Sequence, residues 1–444
     1  RIASVQSFHG SCDDDGPSDD HGHGTHVAGS ILGDGSSSLP DGEDFAGMAP
    51  EANLYMQAIR CGGSLYAPSD YENDLFLPAY DFGARVHTNS WGSGPSGSTP
   101  NYYSSSTLMV DEAAYEMDDM VILYAMGNDG SDDNSNGEID LAFMNRQATA
   151  KNILSIGASE NFRPTLTGST WGTANSDKWG ASPISSDYLA NDIEGLAAFS
   201  NRGPTDDGRI KPDLVAPGTY IISTRSAEAG ASCIGTGFEN YCYNQGTSMA
   251  TPITAGSTAL ILEHLNNQGY TDQFTKSNDP ASAMVKAMLA SGAHDLEGQY
   301  STGGDGKNGA TDVAPNPHEG WGRVDLQGTV ESSFMDGISI TTQESHSMRL
   351  TVPVGLSEFR VVLSWNDPPN SPSAGKQLIN DLDIFLKNPS GDTYNYVNDD
   401  VNNLVGVTVE SPDAGDWEVI VSGANVADGP QTYYVAVSNG LVIT

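Results

Sequence analysis

The stretch Asn-Gln-Gly-Thr-Ser-Met-Ala-Thr-Pro at 244–252 opens the apolar run "GTSMATPITAGSTALILEHL" (246–265) and sets a hydroxyl, Ser248, in its first turn. A serine there has two uses. It can cap a helix by accepting a backbone N–H. Alternatively, approached through a glycine, it can attack a carbonyl once a base removes its proton. Histidines at 21, 23 and 26 in "DDHGHGTHVAGSILG" (19–33) offer such a base, because imidazole titrates near neutral pH. Their spacing, with no second ligand cluster, argues against a metal site built from the three. Asn128 ends the apolar run "MVILYAMGN" (120–128), and alone it reads as a turn asparagine. Just after it, "DDNSNGEID" (132–140) places Asp132, Asn134, Asn136, Glu138 and Asp140 around Gly137 and Ile139. Oxygen ligands alternating about a turn glycine are what a Ca²⁺ loop needs. Phe143 stands where such a loop carries its bidentate Glu, so that ligand must come from elsewhere, or the loop is a solvated acidic insertion. A second group, Asn366, Asp367, Asp381 and Asp383 in "SWNDPP" and "NDLDIF", could also hold Ca²⁺.

These residues need a scaffold. Up to about residue 330, short apolar runs alternate with helix-like stretches. "RIASVQSF" (1–8), "ANLYMQAIR" (52–60), "ARVHTNSW" (84–91), "MVILYAMGN" and "NILSIGAS" (152–159) read as strands. "SDYENDLFLPAYDFG" and "STLMVDEAAYEM" read as helices between them. That rhythm predicts an α/β fold, a parallel sheet covered on both faces, with ligands at the carboxyl ends of the strands. From 336 to 444 the pattern changes to closely spaced strands: "SMRLTVPVG", "FRVVLSWNDPP", "DLDIFLKNP", "DWEVIVSG" and "TYYVAVSNG". No helix separates them, so an all-β sandwich or jelly roll is expected there, after an α/β domain at 1–335.

Composition narrows the partners. Among 444 residues, 58 Asp and Glu face 19 Lys and Arg, a net charge of −39. Such a chain repels nucleic acid and anionic membranes and attracts cations. The sequence holds no apolar run long enough to span a bilayer. Four cysteines without a CxxC pair, Cys12, Cys61, Cys233 and Cys242, fit disulfides and an oxidising, secreted setting. Cys233 and Cys242 flank a short loop they could close, which would leave Cys12–Cys61 as a second bridge.

The segments "HGTHVAG" and "GTSMATP" resemble the signatures of the subtilases, the subtilisin-like serine peptidases. "HTNSWG", "FSNRGPTDDGRIKPDLVAPGT" (199–219) and "EGWGRVDL" (319–326) further resemble the alkaline, oxidatively stable bacterial subtilases, which carry a C-terminal β-domain. The resemblance implies a three-layer subtilisin-like domain and a secreted, calcium-stabilised endopeptidase acting on proteins and peptides. Ser248 would be the nucleophile and His23 its base. The Ser248 N–H and the Asn128 amide would meet the oxyanion. Ser90, Trp91 and Gly92 would form the edge that pairs with substrate backbone.

One member of that constellation is missing. The family orients its histidine with an aspartate at the end of the first core strand, in a segment like "VAVxDTG". Only 22 residues precede His23, and none resembles that strand. Asp13, Asp14, Asp15, Asp19 and Asp20 fall in a Gly- and Pro-containing loop, a poor platform for orienting an imidazole. The expectation is a separate N-terminal fragment that stays docked and brings both strand and aspartate. The alternative is an inactive scaffold used for peptide binding or calcium-dependent adhesion. An esterase would leave "NSWG" without a task.

Overall fold

Alternation along one strand decides the layering. Within β6 (Val121–Ala125), Val121 and Leu123 point into one apolar cluster, while Ile122 and Tyr124 point into another. Successive side chains of a strand face opposite ways, so a strand apolar at every position must be covered twice. The computed structural model, which describes residues 2–7, 19–61, 64–94, 101–166, 168–228, 233–296, 314–395 and 399–444, shows that covering. On one side lie α6 (Thr247–Asn267) and α7 (Ser282–Gly292), with Ile261, Leu265, Met284 and Leu289 in the cluster. On the other lies α3 (Ser105–Glu116), through Val110, Ala113 and Ala114.

The sheet itself runs β5 (Val86–Asn89), β6, β7 (Leu154–Ser159) and β8 (Leu214–Pro217), all parallel and in chain order. Two further strands, β1 (Ile2–Ser7) and β2 (Leu54–Ala58), are parallel to each other but form a sheet of their own. Among the described residues, β2 and β5 share no ladder. A side-chain bond joins them, Gln57 Oε1 to His87 Nε2 at 2.8 Å. The expected parallel α/β architecture is therefore present, but split.

Around it sit α1 (His23–Leu32), the small hairpin β3 (Arg60–Cys61) and β4 (Ser64–Leu65), and α2 (Leu77–Phe82). Two short helices, α4 (Trp171–Ala174) and α5 (Ser176–Trp179), follow β7. Strands β9 (Ile221–Thr224), β10 (Ile234–Gly235) and β11 (Tyr241–Asn244) make an antiparallel sheet closed by the disulfide Cys233–Cys242, Cα atoms 5.8 Å apart. This is the expected pairing; Cys12 and the Cys61 side chain lie outside the described residues. Helix α8 (Leu326–Glu331) leads to the C-terminal part.

There, β12 (Ser333–Ile340), β14 (Glu358–Ser364), β17 (Leu404–Glu410) and β19 (Gln431–Val437) form one antiparallel sheet. A second holds β13 (Ser345–Val352), β15 (Asn380–Lys387), β16 (Thr393–Asn395) and β18 (Gly415–Val426). Leu350, Ile384, Val419 and Val421 from the second meet Phe359, Val361, Val407 and Val435 from the first in one core. The outer faces of β14, β17 and β19 continue the α/β core, because Val362, Leu404, Tyr434 and Ala436 join the cluster of α6 and α7.

A buried polar clasp fixes that junction. Lys151, fully buried, donates to the Asp367 carboxylate, to the Pro368 carbonyl at 2.7 Å and to the Gln377 carbonyl at 2.8 Å. The Ile379 and Asn380 N–H groups donate to the same carboxylate, and Asn152 exchanges two hydrogen bonds with the Asp367 backbone. Asp367 was expected among cation ligands. It is spent on a lysine instead, because a buried carboxylate is tolerated only when paired.

Candidate active site

Ser248 sits in the first turn of α6, and its geometry is not that of a helix cap. The cap of α6 is Gly246, and the Ser248 hydroxyl does not close that terminus. Gly246 takes φ 143°, a region glycine occupies without strain. Of residues 246–250, Ser248 alone is not buried. Pro252 explains a further detail. In a helix the Ser248 carbonyl would accept from the N–H four residues on, and proline has none. Ser90 Oγ takes that carbonyl instead, at 2.9 Å, while Ser248 Oγ donates to the Ser90 carbonyl at 3.2 Å. The end of β5 and the start of α6 are thus tied at the hydroxyl.

Asn128 lies across from this turn. Its Oδ1 accepts from the Thr247 N–H at 2.7 Å and the Thr247 hydroxyl at 3.0 Å. With the oxygen held, the amide nitrogen is left without a partner among the described residues, facing Gly246. Thr247 also receives the Gly127 N–H at 3.1 Å, so one threonine aligns the asparagine loop with the helix start. Sequence reasoning passed over Thr247; the signal was its place in the quoted motif, between the glycine and the serine. Met249 is wholly buried, which shields its sulfur.

His23 opens α1, which packs against α6. Burial first, then the neighbouring His21 charge, hold its pKa below the ordinary histidine value, against a pull upward from Asp19. It is therefore a neutral imidazole at physiological pH, the form a general base must have. Among the described residues, no hydrogen bond joins His23 to Ser248 or to any carboxylate. Asp19 is engaged elsewhere: it accepts from Gly22 N–H at 2.8 Å and from the N–H and hydroxyl of Thr25, both at 2.7 Å. The Asp19 side chain ties the loop before α1 to the first turn, whose cap is Gly22. Burial alone would raise it, but those bonds and His21 carry it below the usual carboxylate range. Asp20 pairs with Arg60. Asp13, Asp14 and Asp15 lie outside the described residues. His26, expected as a packed helix residue, is buried with Nε2 between the carbonyls of Ile221 at 3.1 Å and Cys242 at 3.2 Å. His21 is an exposed loop residue.

The expected substrate edge follows β5. Trp91 is half-buried and meets Tyr71 and Tyr124 edge-on, so most of its ring is core. A Cβ at Gly92 would come within 2.8 Å of the Asn145 side chain, which fixes glycine there for packing. Residues 90–94 belong to no helix or ladder; the Ser93 N–H donates to Gln147 Oε1 at 2.9 Å and the Ser93 carbonyl accepts from the Arg146 N–H at 3.3 Å.

The acidic loop after Asn128 folds on its own hydrogen bonds. Asp132 accepts from Asn136 and Gly137 N–H at 2.9 Å each, and Asn136 Oδ1 accepts from Glu138 N–H at 2.9 Å. Asn134 donates to Asp140 at 2.6 Å, bringing the third and ninth positions together. Glu138 is exposed. Each oxygen keeps a lone pair, so the donor set suits Ca²⁺, with the Asn134 amide turned. In β15, burial first and then the Asp383 charge push Asp381 up to about 6, and its Oδ1 is buried without a partner. Among the described residues, no three His, Cys, Asp or Glu side chains converge as a metal cluster.

The chain is 28% identical over 525 residues to the serine protease/ABC transporter B family protein tagD of Dictyostelium discoideum, covering 93% of this chain and 28% of that protein. It therefore spans little more than a quarter of the length of that relative. Serine protease AprX of Bacillus subtilis (strain 168) is 30% identical over 259 residues, 56% of this chain and 50% of AprX. Among solved structures, the prenylagaramide maturation protease PagA aligns over 74% of this chain and 85% of its own, at 19% identity and a TM-score of 0.44. Residues 3–322 match the subtilase family, Peptidase_S8, and the chain belongs to that family.

Proposed function

We propose that the protein is a serine endopeptidase that cleaves peptide bonds through an acyl-enzyme. Ser248 Oγ attacks the carbonyl carbon as its proton passes to the His23 imidazole. The C–N bond then breaks, and that proton leaves on the amine. Water, deprotonated by the same imidazole, hydrolyses the ester. The observation that carries this reading is the Asn128 amide, held by its oxygen so that only its donor is free beside the Ser248 turn. With the Ser248 N–H at a helix start, it forms a preorganised oxyanion site. The segment 90–94, which belongs to no ladder, is the edge on which a peptide adds as a strand.

That no carboxylate among the described residues is hydrogen-bonded to His23 favours a second reading, an inactive peptide-binding or adhesion scaffold. The split sheet reconciles the two. β2 and β5 share no ladder among the described residues, and Thr88 Oγ of β5 is a buried hydroxyl without a partner. A strand supplied from outside residues 1–444 would join the two sheets and carry the aspartate that orients His23. Ca²⁺ at 132–140 and at Asp381 and Asp383 stabilises the fold, and the Cys233–Cys242 bridge suits a secreted protein.

A fluorophosphonate, which requires an activated serine, tests the peptidase. Labelling of the full-length protein that vanishes in Ser248→Ala is expected; no labelling of the full-length protein sinks the reading. Hydrogen exchange tests the strand: β2 and β5 amides should be protected in the full-length protein and open in residues 1–444 alone. Equal exchange in both would refute it.

A further inference from the structure

Asn128 is aimed only as well as the backbone that carries it. Gly127, just before it, takes φ 107°, in the left-handed region, where glycine has more freedom than any other residue. Thr247 grips the side-chain oxygen of Asn128, which sets the amide but not the main chain from which it hangs.

The main chain is held by Asn201, which is wholly buried. Its backbone N–H donates to the Gly127 carbonyl at 3.1 Å. Its Nδ2 donates to the Met126 carbonyl at 3.0 Å, and its Oδ1 accepts from the Asp129 N–H at 2.8 Å. One carboxamide thus bonds the chain on both sides of Asn128, with a donor toward residue 126 and an acceptor toward residue 129. It is seated tightly: a Cβ at Gly127 would lie 2.3 Å from Asn201 Nδ2, so glycine is required there.

The platform beneath Asn201 is fixed in turn. Residues 197–203 are all buried. The Ala197 N–H donates to the Ala158 carbonyl at 3.0 Å and the Ala158 N–H donates to Ser200 Oγ at 2.9 Å, which ties the segment to β7. Beyond the loop, the Gly130 N–H donates to the Phe199 carbonyl at 2.9 Å, so the same segment moors its far end.

We propose that Asn201 is a positioning residue for the oxyanion site, acting on the reaction through Asn128 by fixing the backbone of residues 126–129. The inference rests on the peptidase reading above. Its kinetic signature follows from when the Asn128 amide works. Charge reaches the oxyanion site only on the way to the tetrahedral intermediate, so a misaimed donor lowers kcat. Ground-state binding along 90–94 uses other atoms, so KM is left nearly unchanged.

The test is a double-mutant cycle in the full-length protein, with a fluorogenic peptide amide as substrate and kcat taken per folded molecule. Asn201→Leu keeps the volume and removes both side-chain hydrogen bonds. It should lower kcat by at least about tenfold, with KM within about twofold. In an Asn128→Ala background, which has no amide left to aim, Asn201→Leu should change kcat by less than about twofold. The same fold-loss in both backgrounds would overturn the proposal, because Asn201 would then act through the fold at large. So would an unchanged kcat in folded Asn201→Leu. If Asn201→Leu fails to fold, Asn201→Ala takes its place in both backgrounds. Fluorophosphonate labelling separates the two levels: labelling of the unaltered protein with no effect at Asn201 sinks this proposal alone, whereas no labelling sinks the peptidase reading and this proposal with it.

Discussion

The two parallel sheets were made from similar residues and ended in opposite states. Every position of β6 and β7 is buried, whereas every position of β2 is half-exposed, and Ile2 and Val5 of β1 are more exposed still. Both are runs of apolar and β-branched side chains. What separates them is covering: β6 has a strand on each side and a helical layer on each face, while β2 has one ladder only. Burial in this fold is a property of neighbours as much as of the residues themselves.

The comparison can be broken or sharpened by experiment, beginning with the closed side. Lys151→Met leaves Asp367 buried without its cation and should cost about 3–5 kcal/mol in denaturant unfolding. Adding Asp367→Leu should recover most of that, and a loss below about 1 kcal/mol for the single variant would mean that the clasp holds nothing. Next, Ile156→Ala in β7 removes a fully buried side chain and should cost about 2–5 kcal/mol.

At the border of the two sheets, the pH dependence of His87 is the third measure. Burial depresses its pKa to about 4, from an ordinary 6.5. The folded form binds fewer protons than the unfolded one between those values, so this contribution is whole above pH 6.5 and lost as pH falls toward 4. It amounts to roughly 3 kcal/mol at most. Melting curves from pH 7 to 4 should fall less steeply for His87→Gln than for the unaltered protein; parallel curves would place His87 in water. The smallest effect belongs to the open side. Ile2→Ala, at a residue 65% exposed, should change stability by less than about 0.5 kcal/mol. A loss like that of Ile156→Ala would show that β1 and β2 are as sealed as the rest.

Much of this was legible beforehand. The runs at 52–60, 84–91, 120–128 and 152–159 became β2, β5, β6 and β7; for β6 and β7 the continuous apolar character fits a strand covered on both faces. β13, β14, β15, β18 and β19 followed from period-two patterning. β12 escaped because Asp336 and Gly337 interrupt its middle, and β17 although its alternating valines were readable. The helices α4 and α5 are single turns whose existence depends on what Trp171 and Trp179 pack against, which no local pattern carries. Within the candidate site, Ser248 and Asn128 were found by motif. The roles of Thr247 and Pro252 emerged only with geometry, since each acts through a hydrogen bond that spans the chain or is denied within the helix. The Lys151–Asp367 clasp joins residues more than two hundred positions apart, and such pairings leave no trace in sequence order.

The continuity of apolar packing from α6 and α7 into β14, β17 and β19 has a bearing on the molecule's history and handling. A module strung on by a linker can be cut away, exchanged or lost without harm to its host. Here the β-rich part is a wall of the host itself, so shortening the chain near β12 would open the α/β interior to water rather than release a passenger.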